Sequence, residues 1–250
     1  MKPQFKQIVT VIFSIFLLSC SADENSEIPL ALNVVTPPTQ TPTTPISNSI
    51  NYLALGDSYT IGQSVCETCR YPEQLKTSLK ALYPATVFSL KIIAKTGWTT
   101  SNLISAINNE NLQSNYDLVT LLIGVNNQYQ GINFSFYEKE FPELVTKAIA
   151  LAKGDKKNVI VLSIPDYAFT PFGNIYGGTT KISAEIAQYN SFAENYCKAN
   201  EVTFISITDI TQKGIQNPDL VAGDGLHPSK EAYTLFVERI FPKVKMALQD

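Results

Sequence analysis

The residues in this chain that could activate a nucleophile are a serine, an aspartate and a histidine that lie far apart in the sequence. Ser58 belongs to a Gly-Asp-Ser tripeptide, and His227, the single histidine, follows Asp224 by three residues. A serine hydroxyl is a good nucleophile only when a nearby base takes its proton, and histidine suits that exchange near neutral pH. A carboxylate three residues earlier can fold back and hold the other ring nitrogen. These residue types indicate nucleophilic catalysis.

Two further loops supply hydrogen-bond donors. Gly97 lies within residues 95–98, Lys-Thr-Gly-Trp, and Asn126 lies within residues 124–127, Gly-Val-Asn-Asn. Attack on an acyl carbon places negative charge on the carbonyl oxygen, and losing one donor to that oxygen typically costs about 2.7–4 kcal/mol. Each motif alone is weak evidence, because short sequences of glycine, asparagine, aspartate and serine usually form only turns. Together, the four loops can supply every group that acyl transfer needs.

The elements between these loops predict how the groups come together. Apolar runs rich in β-branched residues predict five strands, over residues 50–55, 87–94, 118–123, 159–164 and 202–207. Helical spacing predicts helices over residues 71–82, 100–109, 136–152, 183–199 and 229–248. This alternation predicts an α/β domain with a flavodoxin-like, three-layer α/β/α architecture and a parallel sheet of about five strands. Ligands of such sheets bind beyond the carboxyl ends of the strands, where these loops lie.

The four motifs resemble, in this order, the sequence blocks of the SGNH hydrolases, also called GDSL esterases and lipases. The family is named for a serine, a glycine, an asparagine and a histidine, which here are Ser58, Gly97, Asn126 and His227. The resemblance covers residues 50–250 and implies a serine esterase that needs no metal or organic cofactor. Two positions depart from the family pattern: Tyr59 replaces the commonest leucine, and Asn127 replaces an aspartate.

The resemblance also implies a role for each residue. Ser58 is expected to be the nucleophile, His227 its general base, and Asp224 the carboxylate that orients the imidazole. The backbone N–H groups of Ser58 and Gly97 and the side-chain amide of Asn126 are expected to form the oxyanion hole. The substitution at position 127 weakens the expected support around Asn126 without removing that donor.

Composition narrows the range of partners. The formal net charge is −3, and the longest run of basic residues is Lys156-Lys157, so a nucleic-acid partner is not expected. One histidine cannot build a multi-histidine metal site. With 44% hydrophobic residues the chain can bury a core as one domain. We expect a monomer, and the resemblance to esterases implies that its substrate is a small-molecule or glycan ester.

Two other functions fit parts of the sequence. Asp57 could pair with Asp224 or Asp166 in a glycosidase that uses two carboxyl groups, although a side chain that caps the turn around Ser58 explains Asp57 better. A lipid-anchored, glycan-binding protein could keep the fold and lack turnover, although the intact set of Ser58, Asp224 and His227 argues against it. No Gly-x-Ser-x-Gly pentapeptide occurs, which disfavours the nucleophile-elbow hydrolases.

The N-terminal segment has the features of an export signal and a tether. Two lysines precede an apolar run over residues 8–18, which then ends in Leu-Leu-Ser-Cys at Cys20. This order resembles the lipobox of bacterial lipoproteins, which implies a signal peptide over residues 1–19 and a lipid anchor on Cys20. Residues 20–49, rich in proline and threonine, predict an extended tether to the domain at 50–250. We expect the chain on the outer membrane of a bacterial envelope, facing the periplasm or the exterior; an ordinary signal peptide with an incidental cysteine is the alternative.

The three remaining cysteines leave two arrangements open. In an exported protein, Cys66 and Cys69 favour a local disulfide in the loop after Ser58, with Cys197 as a buried thiol. A zinc site formed by the three cysteines and His227 is arithmetically possible, but it would consume the only base.

Aromatic residues near the same loops have two possible roles. Trp98, Tyr129 and the segment 167–176 could form an acyl pocket or a platform for a sugar. They could equally be residues that only cover the core.

Overall fold

The computed structural model describes residues 45–176 and 178–249. The predicted signal peptide, Cys20 and the tether up to residue 44 lie outside these ranges. None of the helices in the described part of the chain combines the length and the apolar character needed to cross a bilayer.

Five parallel strands form one sheet, as the sequence predicts. They are β1 (Ser49–Gly56), β2 (Val87–Ala94), β3 (Leu118–Leu122), β4 (Val159–Leu162) and β5 (Thr203–Ile205), in the spatial order β2-β1-β3-β4-β5. Every residue of β3 and β4 is buried, which explains their continuous apolar sequence. The predicted flavodoxin-like α/β fold is confirmed.

Nine α-helices occur in the described ranges. They are α1 (Ser58–Ile61), α2 (Tyr71–Leu82), α3 (Thr100–Asn109), α4 (Val125–Tyr129), α5 (Phe134–Leu151), α6 (Pro171–Tyr176), α7 (Gly178–Ala199), α8 (Thr208–Thr211) and α9 (Lys230–Ala247). The longer helices form two groups: α2 packs against α9, and α5 contacts both α3 and α7. The chain moves in one direction across the sheet from β1 to β2, and in the opposite direction from β2 through β3 to β5. Because crossovers between parallel strands are right-handed, this change of direction places the two groups of helices on opposite faces of the sheet.

Strands β4 and β5 end earlier than their apolar runs because side chains take over their backbone partners. The Asn190 amide accepts from Ile164 N at 2.7 Å and donates to Ile164 O at 3.0 Å. The hydroxyl of Ser163 accepts from Ile207 N at 2.7 Å. These bonds replace ladder hydrogen bonds, so the chain leaves the sheet two residues before each apolar run stops.

The strand order creates a crevice at one edge of the sheet. From β1 the chain crosses to β2 on one side, and later returns to β3 on the other side. Loops that follow neighbouring strands diverge at such a reversal, so the loops after β1 and β3 flank an open space. Ser58 follows β1 and Asn126 follows β3.

Candidate active site

A tight turn places Ser58 at the carboxyl end of β1. Ser58 is the first residue of α1, and Asp57 caps this helix by accepting a hydrogen bond from Tyr59 N at 3.0 Å. Gly56 makes the turn possible, because a Cβ there would lie 2.1 Å from Thr60 Oγ1 and 2.4 Å from the carbonyl oxygen of Leu122. Ser58 is only 4% exposed, so its position is set by packing as well as by the turn.

The loop before α9 holds His227 through Asp224. The Nδ1 of His227 lies 2.6 Å from Asp224 Oδ2, while Asp224 Oδ1 accepts from the backbone N–H groups of Leu226 at 2.9 Å and His227 at 3.0 Å. Gly225 takes a φ of 72°, which lets the chain fold back within three residues. The carboxylate therefore fixes both the turn and the imidazole.

Ser64 is a further partner of this carboxylate that no motif in the sequence predicts. Its hydroxyl donates to Asp224 Oδ2 at 2.6 Å across 160 positions of the chain. Partial burial opposes the charged form, but the hydrogen bonds from Ser64, His227 and Leu226 outweigh it and hold the pKa of Asp224 well below its usual range. An ionised carboxylate only accepts, so His227 Nδ1 donates to it and Nε2 is left as an acceptor.

The histidine loop and the serine turn meet at the same edge of the sheet. The ring of Tyr59, which follows Ser58, packs edge-on against the His227 imidazole, with ring centroids 5.9 Å apart. A void of about 10 Å³, lined by Tyr59, Tyr167, His227 and other residues, lies beside this contact. That volume corresponds to about one water molecule.

Hydrogen bonds join α4, which carries Asn126, to the loop that carries Gly97. Asn126 Nδ2 donates to the carbonyl oxygen of Trp98 at 2.9 Å, and Gln130 Nε2 donates to that of Gly97 at 3.0 Å. One bond to Trp98 leaves a second N–H on the Asn126 amide. Gly97 has a φ of 84°, and a Cβ there would contact nothing within 4 Å, so the backbone conformation alone favours glycine.

Asn127, which departs from the family pattern, supports α4 in another way. Its Oδ1 accepts from Thr100 N at 3.0 Å, and its Nδ2 donates to Thr100 Oγ1 at 2.7 Å. An ionised aspartate at this position could accept the first of these bonds but could not donate the second. Asn127 therefore ties the helix that carries Asn126 to the beginning of α3.

Asp57 and Asp166 lie in the interior. Burial raises the pKa of Asp57 to about 7, against hydrogen bonds from the N–H groups of Tyr59, Asp57 itself and Gly124. The Oδ2 of Asp57 has no hydrogen-bond partner among the described residues. Asp166 is 1% exposed and caps the turn at Ala168. The hypothesis of a glycosidase requires carboxyl groups that a substrate can reach, and neither Asp57 nor Asp166 is exposed to solvent.

The two cysteines after the serine turn are bonded to each other. Cys66 and Cys69 form a disulfide with an S–S distance of 2.01 Å. Their sulfurs are therefore not thiolate ligands, which removes the zinc arrangement. Cys197 is a buried free thiol, and burial raises its pKa to about 12.

Comparison with known proteins identifies the class. The profile of the GDSL-like Lipase/Acylhydrolase family matches residues 54–235. The chain belongs to this family and is a serine hydrolase that acts on esters, which confirms the family predicted from the four motifs.

Several solved structures share the fold. A lipolytic protein of the G-D-S-L family from Veillonella parvula is 17% identical, with 77% of this chain and 97% of that chain covered and a TM-score of 0.60. A lipase/acylhydrolase from Enterococcus faecalis is 20% identical, with 80% and 97% covered and a TM-score of 0.61. An acetylxylan esterase from Geobacillus stearothermophilus is 17% identical, with 80% and 95% covered and a TM-score of 0.58. No curated protein matches the sequence.

Removal of the Ser64 hydroxyl should weaken the hold on Asp224. We expect Ser64→Ala and Ser64→Gly to lower kcat/KM for 4-nitrophenyl acetate by about three- to tenfold, since one hydrogen bond to a half-exposed carboxylate is lost. Ser64 has a φ of 66°, which glycine adopts freely, so the glycine variant separates the lost bond from backbone strain. Ser101→Ala is the control, because Ser101 also donates to a carboxylate, that of Glu140, at 2.6 Å. Full activity in Ser64→Gly would show that Ser64 does not position Asp224.

The buried Asp57 should make stability depend on pH. The pKa of an aspartate in the unfolded chain is about 3.9. Between that pH and about 7 the folded protein retains a proton that the unfolded chain has lost. The stabilisation from Asp57 is therefore complete at low pH and is lost as the pH rises through about 7. Asp57→Asn keeps the cap and does not titrate. We expect its stability relative to wild type to increase by about 2–3 kcal/mol between pH 5 and pH 8.

Chemical denaturation at several pH values measures this difference. Asp155→Asn is the matched control, since Asp155 is exposed and caps its turn with the same bond, to Lys157 N at 2.9 Å. Parallel stability curves for wild type and Asp57→Asn would contradict the expectation.

Proposed function

We propose that the protein hydrolyses a carboxylic ester through an acyl-enzyme intermediate. Ser58 is the nucleophile, His227 the general base, and Asp224 the carboxylate that orients the imidazole. The observation that carries this proposal is the 2.6 Å hydrogen bond between Asp224 and His227, whose ring packs against the residue that follows Ser58.

Acylation is the first half of the reaction. His227 Nε2 takes the proton of Ser58 Oγ as this oxygen attacks the acyl carbon, and the carbonyl electron pair moves onto the carbonyl oxygen. The N–H groups of Ser58 and Gly97 and the Asn126 amide stabilise this oxyanion. Ser58 suits the role because the first residue of a helix has no carbonyl partner for its N–H within that helix.

Acylation ends when this tetrahedral intermediate collapses: the bond to the alcohol oxygen breaks, and His227 gives the proton from Ser58 to that oxygen. Deacylation then returns the enzyme to its starting state. Water then attacks the acyl-serine while His227 takes a proton from it, and Ser58 Oγ leaves with that proton. Asp224 stays ionised throughout and stabilises the imidazolium.

The substrate is an ester of a lipid or of a carbohydrate. Both classes are represented among the names of similar structures, which include an acetylxylan esterase and a lipase/acylhydrolase.

Ser58→Ala tests the reaction. We expect it to lower hydrolysis of 4-nitrophenyl acetate by about a thousandfold or more, and to abolish labelling by a fluorophosphonate, which peptide mapping should place on Ser58 in wild type. Ser135→Ala, at an exposed serine of α5, should behave as wild type. Equal rates and equal labelling in wild type and Ser58→Ala would refute the assignment. Saturable glycan binding without ester cleavage would support the inactive, glycan-binding alternative.

We also propose that the mature chain is anchored by acyl chains on Cys20 to the outer membrane of a bacterial envelope. The support is the order of the N-terminal sequence, namely two lysines, the apolar run at residues 8–18 and Leu-Leu-Ser-Cys. In cells that process lipoproteins, Cys20→Ser should move the protein from the detergent phase to the aqueous phase of a nonionic-detergent partition, whereas Cys197→Ser should leave it in the detergent phase. Identical partition of wild type and Cys20→Ser would favour an ordinary signal peptide.

A further inference from the structure

A polar cavity lies next to the catalytic groups and is not explained by the reaction. Its volume is about 520 Å³, within the range of roughly 300–1,000 Å³ that is usual for small-molecule sites. Its walls come from the end of α4, the turn at Tyr167–Phe169 and the first half of α7.

The cavity adjoins the site through two residues. Tyr129 follows Asn126 by three positions on α4, so both belong to one short helix. Tyr167 lines this cavity and also the small void beside His227. A molecule that fills the cavity therefore lies one side chain away from the imidazole.

One wall of the cavity presents fixed polar groups. The Tyr167 hydroxyl donates to Gln128 Oε1 at 2.9 Å, and Gln128 Nε2 donates to Glu185 Oε2 at 2.7 Å. Among the described residues, neither Glu185 Oε1 nor the Lys181 ammonium has a hydrogen-bond partner, and both residues line the cavity. The wall thus offers an oriented carboxylate oxygen and a cationic donor to a ligand.

Another part of the lining is aromatic. Tyr129 is 56% exposed, and its ring contacts those of Tyr167 and Phe172 at centroid distances of 6.1 and 6.2 Å. Such a ring supplies a large apolar face at a low cost in conformational entropy. Its exposure leaves this face accessible to a ligand.

The polar groups and the aromatic ring of this lining match a sugar better than an acyl chain. A pyranose ring has C–H faces that pack on aromatic rings and hydroxyl edges that bond to carboxylate, amide and ammonium groups. A long acyl chain would take Glu185 and Lys181 out of water without giving them a partner, which is costly. We propose that this cavity binds the sugar residues of an acylated carbohydrate and so selects the alcohol part of the ester. The inference rests on the proposed esterase function.

The test compares two esters that share the acetyl group. For wild type, Tyr129→Ala and Glu185→Ala we would measure kcat/KM on partially O-acetylated xylobiose and on 4-nitrophenyl acetate. The ratio of the two values should fall by about tenfold or more in each variant, since each loses one contact to the sugar. The ratio should stay within about twofold of wild type in two controls: Phe136→Ala, which removes another exposed aromatic ring, and Glu194→Ala, which removes an exposed carboxylate of α7.

A binding measurement separates this inference from the reaction. Calorimetric titration of Ser58→Ala with xylobiose needs no turnover, and adding Tyr129→Ala should weaken that binding by about tenfold. If wild type cleaves 4-nitrophenyl acetate and the ratio does not change, the cavity does not bind sugar, while the esterase proposal stands. If no ester is cleaved but xylobiose binds and Tyr129→Ala weakens it, the esterase proposal fails and the sugar site stands. If the variants instead lose hydrolysis of glyceryl trioctanoate, the occupant is an acyl chain and the inference is overturned.

Discussion

The ionised carboxylate of Asp224 is the constraint on which the geometry around His227 depends. It accepts hydrogen bonds from the Ser64 hydroxyl, from the His227 ring and from the backbone N–H groups of Leu226 and His227. These donors keep the carboxylate charged, and the charge in turn requires the imidazole to donate through Nδ1. A free neutral histidine can carry its proton on either nitrogen, so this contact leaves Nε2 as the nitrogen that can accept a proton. The arrangement needs both the Ser64 loop and the Asp224 loop, which lie 160 positions apart.

Asp57 shows what the same side chain does when it is buried. Complete burial raises the pKa of Asp57, whereas Asp224 is only partly buried and its hydrogen bonds from Ser64, His227 and Leu226 lower its pKa. Asp57 accepts from Tyr59 N at 3.0 Å and so caps the turn that carries Ser58. One aspartate thus fixes the serine turn, and the other fixes the imidazole.

Much of this frame is predictable from the sequence, because strands and long helices have strong periodic signals. Helices α2 and α3 have the predicted bounds, and all five strands occur where apolar runs predict them. Short helices such as α1 and α4 carry too few residues for a periodic signal, yet they present Ser58 and Asn126. The strand ends depend on side chains such as Asn190, which acts from 26 positions away.

Pairwise contacts between distant polar residues were not predictable. Nothing in the sequence around Ser64 indicates a partner at Asp224, and nothing around Gln128 indicates Glu185. A resemblance to a family identifies residues that recur in its motifs. Of these four residues, only Asp224 lies in such a motif. The departure at Asn127 could be noticed but not interpreted, since its meaning depends on the amide pairing with Thr100.

Residues of the family motifs and residues outside them lie on different parts of the fold, and this separation bears on specificity. The groups proposed to make and break bonds lie on loops at strand ends, where the sheet fixes their positions. Lys181 and Glu185 lie on α7, away from its buried residues, and make no contact with Asp224 or His227 among the hydrogen bonds of the described residues. Substitutions on that helix can change which alcohol is bound without disturbing the imidazole. Tyr167 is the exception, because its ring borders both cavities, so a change in its size would alter the path between the sugar site and the reacting acyl carbon.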